Sequence, residues 1–228
     1  MKLTLIEKRK ETKDIITFVF EPEKSIKWTA GQYLIYSLPH ENPDTRGKMR
    51  FFTISSAPFE KNPSITTKIS KSEGSSFKKA LTTLKIGSII NAKGPDGDFI
   101  IDDLNKKYVF IAKGVGITPF ISILKQLIYE KRKINALLLY INKTKDIAFK
   151  KDLKEIAKEQ SEFKLKHFKN LENTEEYILE NLKRELSKYY FYVSGASIMV
   201  AKTEAFLNNL GVKKDKQKFD YFSGYKDN

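Results

Sequence analysis

A change of period near residue 103 constrains this 228-residue chain more than any other feature. Up to Asp103 the apolar residues come in short runs between turn signals, with residues 17–20, 33–37, 50–55 and 65–69 the clearest. Runs of that length and spacing predict short antiparallel strands closing into a small barrel. From Leu104 onward strand-sized and helix-sized patterns alternate: strands over 108–112, 136–142, 163–167 and 189–194, helices over 119–131, 149–159, 175–188 and 198–210. Phe120, Ile123, Leu124, Leu127 and Ile128 repeat with the 3,4 spacing of one buried helical stripe. Alternation of this kind predicts a parallel α/β sheet. The expected architecture is therefore an antiparallel β-barrel domain over residues 1–103 followed by a parallel α/β domain over 104–228.

Composition removes whole classes of chemistry. The chain has no cysteine, which excludes disulfides, thiolate catalysis and cysteine-ligated iron–sulfur or zinc centres. Its two histidines, His40 and His167, lie far apart in no metal-ligand spacing, and surface positions are expected for both. Redox chemistry in such a chain must rest on an organic cofactor. The first residues turn charged before any signal-length apolar core develops, and the longest apolar runs, such as 136–141, are strand-sized. A cytoplasmic protein without a membrane span is expected. The net charge of +14, concentrated beyond residue 103, suits an acidic partner, although lysines interspersed with glutamates on helices also read as solvated faces.

Several stretches carry chemistry. Residues 49–56, Met-Arg-Phe-Phe-Thr-Ile-Ser-Ser, put a cation, aromatics and hydroxyls on one strand, with Arg50, Phe52 and Ile54 alternating against Phe51, Thr53 and Ser55. By itself the octapeptide reads equally well as a half-buried strand with one surface arginine. Arginine is scarce here, however, five residues against thirty-seven lysines, and one of the five stands where a planar phosphate donor is useful. Gly74-Ser75-Ser76 opens a short amphipathic helix, with a hydroxyl expected at the N-cap and free N–H groups suited to phosphate. Residues 111–119, Ile-Ala-Lys-Gly-Val-Gly-Ile-Thr-Pro, deliver a strand into a glycine turn that opens a helix. Gly114 and Gly116 match the start of a dinucleotide fingerprint, but Pro119 replaces its third glycine.

These stretches, in this order, resemble the ferredoxin-NADP reductase superfamily over nearly the whole chain. Arg50-Phe51-Phe52-Thr53 resembles its Arg-x-aromatic-hydroxyl motif, and Trp28 to Tyr33 its aromatic-x-x-Gly-Gln-Tyr motif. The resemblance implies an FAD-binding barrel and an NAD(P)-binding domain. Arg50 and the helix start at Gly74, Ser75 and Ser76 would meet the FAD pyrophosphate. Phe52 would pack on the isoalloxazine, Thr53 would offer its hydroxyl to flavin N5, and Phe51, Ile54, Thr67 and Lys68 would lie along the cofactor. Gly114, Gly116, Thr118 and Pro119 would seat the pyridine nucleotide, with Thr118 facing the nicotinamide, while Asn142 and Lys143 would line the adenosine ribose. Lys143 would meet a 2′-phosphate if NADP is bound, though a surface lysine reads as well. Ser194, Gly195 and Met199 stand in the family's Cys-Gly-Pro-x-x-Met turn, with Ser194 for Cys and Ala196 for Pro, and Lys113 departs from its usual glycine.

Gly94-Pro95-Asp96-Gly97-Asp98-Phe99 resembles the turn that ends the family's barrel and is expected to be structural. The Phe219-Asp220-Tyr221-Phe222-Ser223-Gly224-Tyr225 ending resembles the aromatic tail with which superfamily members cover the flavin, so Phe222 or Tyr225 would stack there; packing of the tail on the sheet edge is the alternative. The implied activity is hydride transfer between NAD(P)H and FAD, framed by Phe52, Thr53, Thr118 and Ser194, with electrons leaving to a separate acidic carrier, a ferredoxin or flavodoxin. Reduction of free flavin, quinone or ferric chelate is the alternative. A basic nucleic-acid-binding module is remote, because the aromatics fall in strand-core patterns rather than among the lysines. The dihydroorotate dehydrogenase electron-transfer subunit, a relative within the superfamily, is disfavoured because its iron–sulfur ligands are absent.

Overall fold

The computed structural model describes residues 1–70 and 74–224. The first half forms strands β1 (Lys2–Lys10), β2 (Ile15–Pro22), β3 (Tyr33–Ser37), β4 (Met49–Thr53) and β5 (Ser64–Lys68), helix α1 (Ser76–Thr83) and strand β6 (Ile89–Asp96). The strands pair antiparallel in the order β4-β3-β6-β1-β2-β5. The two ends of that order meet: Ser55 N, just past β4, donates to Ser64 O of β5 at 3.0 Å, and the Ser55 hydroxyl bonds Ser64 Oγ (2.7 Å) and Thr66 Oγ1 (2.8 Å). Buried hydroxyls thus close the barrel where a continuous ladder stops, satisfying polar groups that would otherwise be costly to bury. Its core holds Leu3, Leu5, Phe18, Phe20, Leu34, Tyr36, Ile54, Ile65 and Phe77, so α1 plugs one end through Phe77 and Leu81.

Beyond a linker come β7 (Lys107–Lys113), α2 (Thr118–Tyr129), β8 (Asn135–Ile141), α3 (Lys150–Glu159), β9 (Phe163–Phe168), α4 (Leu171–Asn181), β10 (Tyr189–Ala196), α5 (Ser197–Asn209) and β11 (Gln217–Phe222). The strands form one parallel sheet in the order β11-β10-β7-β8-β9, with a buried cluster on each face. Strands covered on both faces explain why Val109, Phe110 and Ile111 are all fully buried. None of the described helices is long and apolar enough to cross a membrane.

Several elements differ from expectation. Strand β1 is hard to see in the sequence because only Leu3 and Leu5 of its nine residues are fully buried, the rest being half-buried or exposed and mostly charged. The helix expected over 175–188 starts earlier, at Leu171, and ends at Asn181. A 3₁₀ segment, Lys183–Lys188, completes it, with Glu185 outside helical geometry. Gly94-Pro95-Asp96, expected as a turn, completes β6 and pairs with β3. The aromatic tail is the sheet's edge strand β11, so edge packing holds for residues 217–222, while Tyr225 lies outside the described residues.

The two halves lock together through α2 and the barrel rim. Ser122 Oγ donates to Ser56 O at 2.7 Å, Lys125 Nζ to Glu60 Oε1 at 2.6 Å, and Phe59 stacks on Tyr129 with ring centres 4.4 Å apart. Gly31 is needed at this rim for two reasons: its φ is +101°, and a Cβ would fall 2.0 Å from Phe99 O.

Candidate cofactor site

Two polar corners flank β4. At the first, Arg50 leaves β4 with its side chain 11% exposed. Its Nη1 donates to the carbonyls of Arg46, Gly47 and Met49 (2.9, 2.9 and 2.7 Å), its Nη2 to Asp44 Oδ1 (2.6 Å), and its guanidinium lies 5.7 Å from the Phe77 ring centre. The same Asp44 accepts from the backbone N–H of Ser76 (3.0 Å) and of Arg46 (3.0 Å). Ser75 occupies the N-cap position of α1 as expected, but its hydroxyl makes no capping bond; the Asp44 carboxylate does that work from a distant loop. A carboxylate accepts from N–H more strongly than a neutral hydroxyl and also offsets the positive end of the helix.

The loop over residues 40–48 is largely exposed, as expected, but His40 and Asp44 within it are fastened to the start of α1. Asp44 N donates to Ser76 Oγ (2.9 Å), which lies 2.9 Å from His40 Nε2, while His40 Nδ1 donates to Leu38 O (2.7 Å). Burial alone would raise Asp44, but the Arg46 and Ser76 N–H groups and the Arg50 guanidinium overcome it and hold the carboxyl well below the usual range. Nearby, burial and the charges of Arg46, Arg50 and Lys68 push Lys78 down to about 7. This is a corner crowded with cations.

The second corner joins the halves. Thr53 Oγ1, at the end of β4, donates to Asp220 Oδ2 of β11 at 3.0 Å, across 167 residues of sequence. Asp220 is the register partner of Ser194 on β10, whose fully buried Oγ makes no bond of good geometry yet sits close enough to help hold the carboxylate charge. Burial, with Asp98 adding like charge, pushes Asp220 up to about 6 against the pull of those two hydroxyls.

The nucleotide turn is built by close packing. A Cβ on Gly116 would fall 2.1 Å from Ser194 O, so that glycine admits the backbone of β10, whereas Gly114, at φ +56°, faces open space. A Cβ on Gly195 would strike Met199 Cε at 2.5 Å, which makes Met199, fully buried, the floor of the 194–195 turn. Thr118 Oγ1 is committed to Val115 O (3.0 Å), and Pro119 fills the first turn of α2, where a missing N–H costs nothing. Asn142 follows β8 beside exposed Lys143.

Of the other expected residues, Phe52 packs on Phe77 (5.7 Å) and Tyr36 (6.0 Å). Phe51 is 65% exposed against the edge of Tyr33, and Ile54 lies in the barrel core. Thr67 is buried within β5, Lys68 turns outward to Asp14 (3.1 Å), Gly74 is exposed before α1, and Phe222 ends β11.

Among the described residues, the buried side-chain atoms without a hydrogen-bond partner include Arg50 Nε, Ser75 Oγ, Asn142 Nδ2 and Ser194 Oγ, with Trp28, Tyr36 and Gln217 supplying the others. Buried polar atoms are normally paired, so four orphans at four expected cofactor residues fit an FAD diphosphate at the first corner and a pyridine nucleotide along the glycine turn. Asp44, Lys78 and Asp220 were missed from the sequence. Asp44 sits in a polar loop with no motif, Lys78 is indistinguishable in sequence from any other helix lysine, and Asp220 was masked by the aromatics around it.

Comparison with known proteins agrees with this arrangement. The family model for oxidoreductase FAD-binding domains matches residues 2–101, and that for oxidoreductase NAD-binding domains residues 110–205. A flavohemoprotein of Oceanobacillus iheyensis is 29% identical over 168 residues, covering 70% of this chain and 41% of its own, so the chain spans less than half of that curated relative. Two solved structures share the fold over 97% of this chain. The flavohem-like FAD/NAD binding domain of a nitric oxide dioxygenase from Vibrio cholerae has a TM-score of 0.80 at 21% identity, with 98% of it covered. Ferredoxin-NADP+ reductase from Plasmodium falciparum has a TM-score of 0.79 at 20% identity, with 95% covered. With both domain models in sequence order on a barrel and a parallel sheet that meet at Thr53 and Asp220, the chain belongs to the ferredoxin-NADP reductase superfamily of FAD- and NAD(P)-binding oxidoreductases.

Proposed function

We propose that this chain oxidises NAD(P)H through bound FAD and passes the electrons to a separate acidic carrier of the ferredoxin or flavodoxin kind, with the domain division just after Asp103. The observation that carries the reading is the junction of Thr53, Asp220 and Ser194, where the barrel and the nucleotide sheet each contribute polar groups to one enclosed spot. FAD supplies the two-electron chemistry when bound, and the protein supplies orientation and electrostatics.

Each residue then has a bounded task. Arg50 and the first N–H of α1 bind the diphosphate, and Phe52 supports the ring system. The Thr53 hydroxyl, whose hydrogen goes to Asp220 Oδ2, would present its oxygen at the reacting edge, and Asp220, pushed up to about 6 by burial, would hold or yield a proton near neutral pH on the carboxyl oxygen that does not accept from Thr53. Gly114, Gly116 and the Ser194-Gly195 turn hold the nicotinamide half of the nucleotide, and Asn142 and Lys143 its ribose. The carrier reading rests on the surplus of lysines and the net charge of +14, which steer acidic partners. A second reading, a haem-type or small-molecule acceptor, draws on the flavohemoprotein relative.

The test begins with the absorbance spectrum of the purified protein and its anaerobic bleaching by NADH and by NADPH. Protein that binds FMN alone, or no flavin, removes the reading. Acceptors are then compared between 0.01 and 0.1 M salt, over which the Debye length falls from about 30 to about 10 Å. Reduction of an acidic carrier should slow markedly over that range. A salt-independent preference for quinone, free flavin or ferric chelate establishes the second reading instead.

A further inference from the structure

The first corner is occupied by an anion of the protein's own. Asp44 Oδ1 bonds Arg50 Nη2, and Oδ2 bonds Ser76 N at the start of α1, so one carboxylate bridges the two donors assigned above to the FAD diphosphate. Ser75 Oγ beside them is buried, at 6% exposure, without a partner, and Arg50 Nε is likewise unpaired. These donors outnumber what one carboxylate can satisfy. Arg46, Arg50 and Lys68 lie close enough to disfavour the charge on Lys78, as expected where a dianion rather than a monoanion is to be held.

We propose that Asp44 is an internal surrogate for the FAD diphosphate, which keeps Arg50 and the α1 N-terminus in their binding arrangement and must leave them when FAD binds. The proposal rests on the FAD reading and adds to it that binding is an exchange of anions. Asp44 and the diphosphate cannot both keep Ser76 N, because a single backbone N–H directs one strong bond, and at Arg50 they would compete for Nη2 while Nε stays available to the diphosphate. The loop that carries Asp44 also carries Arg46, whose guanidinium lies against Gly224 so closely that a side chain there would collide with it. Release of Asp44 therefore also loosens the contact between this loop and Gly224.

The experiment compares wild type with Asp44→Asn, as apo-protein titrated with FAD and with riboflavin, which lacks the diphosphate. Asp44→Asn should bind FAD about tenfold more tightly, the low end of the worth of one charge-assisted hydrogen bond, and riboflavin unchanged. Its apo melting midpoint should fall while the FAD-saturated midpoint barely moves, because the lost contacts are absent from the bound form. Hydrogen exchange on wild type needs no variant: FAD should speed exchange over residues 41–48 while slowing it over 76–79. Equal or weaker FAD binding by Asp44→Asn, or slower exchange over 41–48 on FAD addition, overturns the surrogate role and leaves FAD binding intact. Failure of folded wild type to bind FAD at all removes the FAD reading and the surrogate with it.

Discussion

Two aspartates, one at each corner of the site, carry opposite shifts. Asp44 is well supplied with donors, two backbone N–H groups and a guanidinium, and stays ionised far below the usual range. Asp220 has one good hydroxyl donor and a carboxylate neighbour, and burial pushes it up to about 6. Burial raises both, but the donors at Asp44 overcome it, whereas the two hydroxyls at the far more deeply buried Asp220 do not. A corner built of N–H groups and guanidinium binds permanent anions, and a corner built of hydroxyls lets a carboxyl change its protonation near neutral pH. Under the proposed function, that contrast assigns phosphate binding to the first corner and proton handling to the second.

Removing Arg50 tests the first corner most severely. Arg50→Ala should weaken FAD binding by about 1.5 to 3 kcal/mol, roughly ten- to more than a hundredfold, measured by quenching of flavin fluorescence. Unchanged affinity would mean that Arg50 serves only to fasten the 44–49 loop.

Thr53→Val keeps shape and β-branching but removes the hydroxyl. We expect flavin reduction in rapid mixing to slow by about tenfold, the scale of one lost hydrogen bond, with FAD retained. Because the Thr53 hydroxyl lowers Asp220, its loss should also move the Asp220 carboxyl still higher, as read from its infrared band against pH. A rate that does not change would make Thr53 a strand residue and no more.

The Asp220 shift has a definite sign in stability. A carboxyl raised above its unfolded value favours the folded state most below the unfolded pKa, near 3.9, and that stability is lost as pH rises through about 6. Asp220→Asn should therefore be more stable than wild type at pH 8 by about 2 to 3 kcal/mol, with the advantage vanishing near pH 4. Denaturant melts across that range decide it. A pH-independent difference would mean that Asp220 is ionised throughout and the contrast with Asp44 fails.

The smallest effect is expected at exposed Lys143. Lys143→Ala should raise the Michaelis constant for NADPH a fewfold, the worth of about one exposed ion pair, and leave that for NADH alone. Equal changes would show that the lysine does not reach a 2′-phosphate.

Much of the architecture was legible because periodicity reports burial. The shift from alternating short runs to strands separated by striped helices marks the change from barrel to parallel sheet, and the turns at Gly31 and Gly116 are marked because other backbone passes where a side chain would be. The residues expected to face the nucleotide could be named because their neighbours are local: Gly114 to Pro119 form one turn, and Ser194 to Met199 another. Strand β1 escaped because its charged outer residues hid two buried leucines, and β11 because six residues at a sheet edge have no period of their own.

What the order of residues determined by itself was the sequence of most elements and the places of the short motifs that carry the family resemblance. The tertiary structure alone decided that Asp44 reaches Ser76 across 32 residues and that Asp220 reaches Thr53 across 167. A carboxylate's role depends on the donors that fold around it, and those donors lie on other elements, so neither its partners nor its protonation can be read from its own stretch of chain.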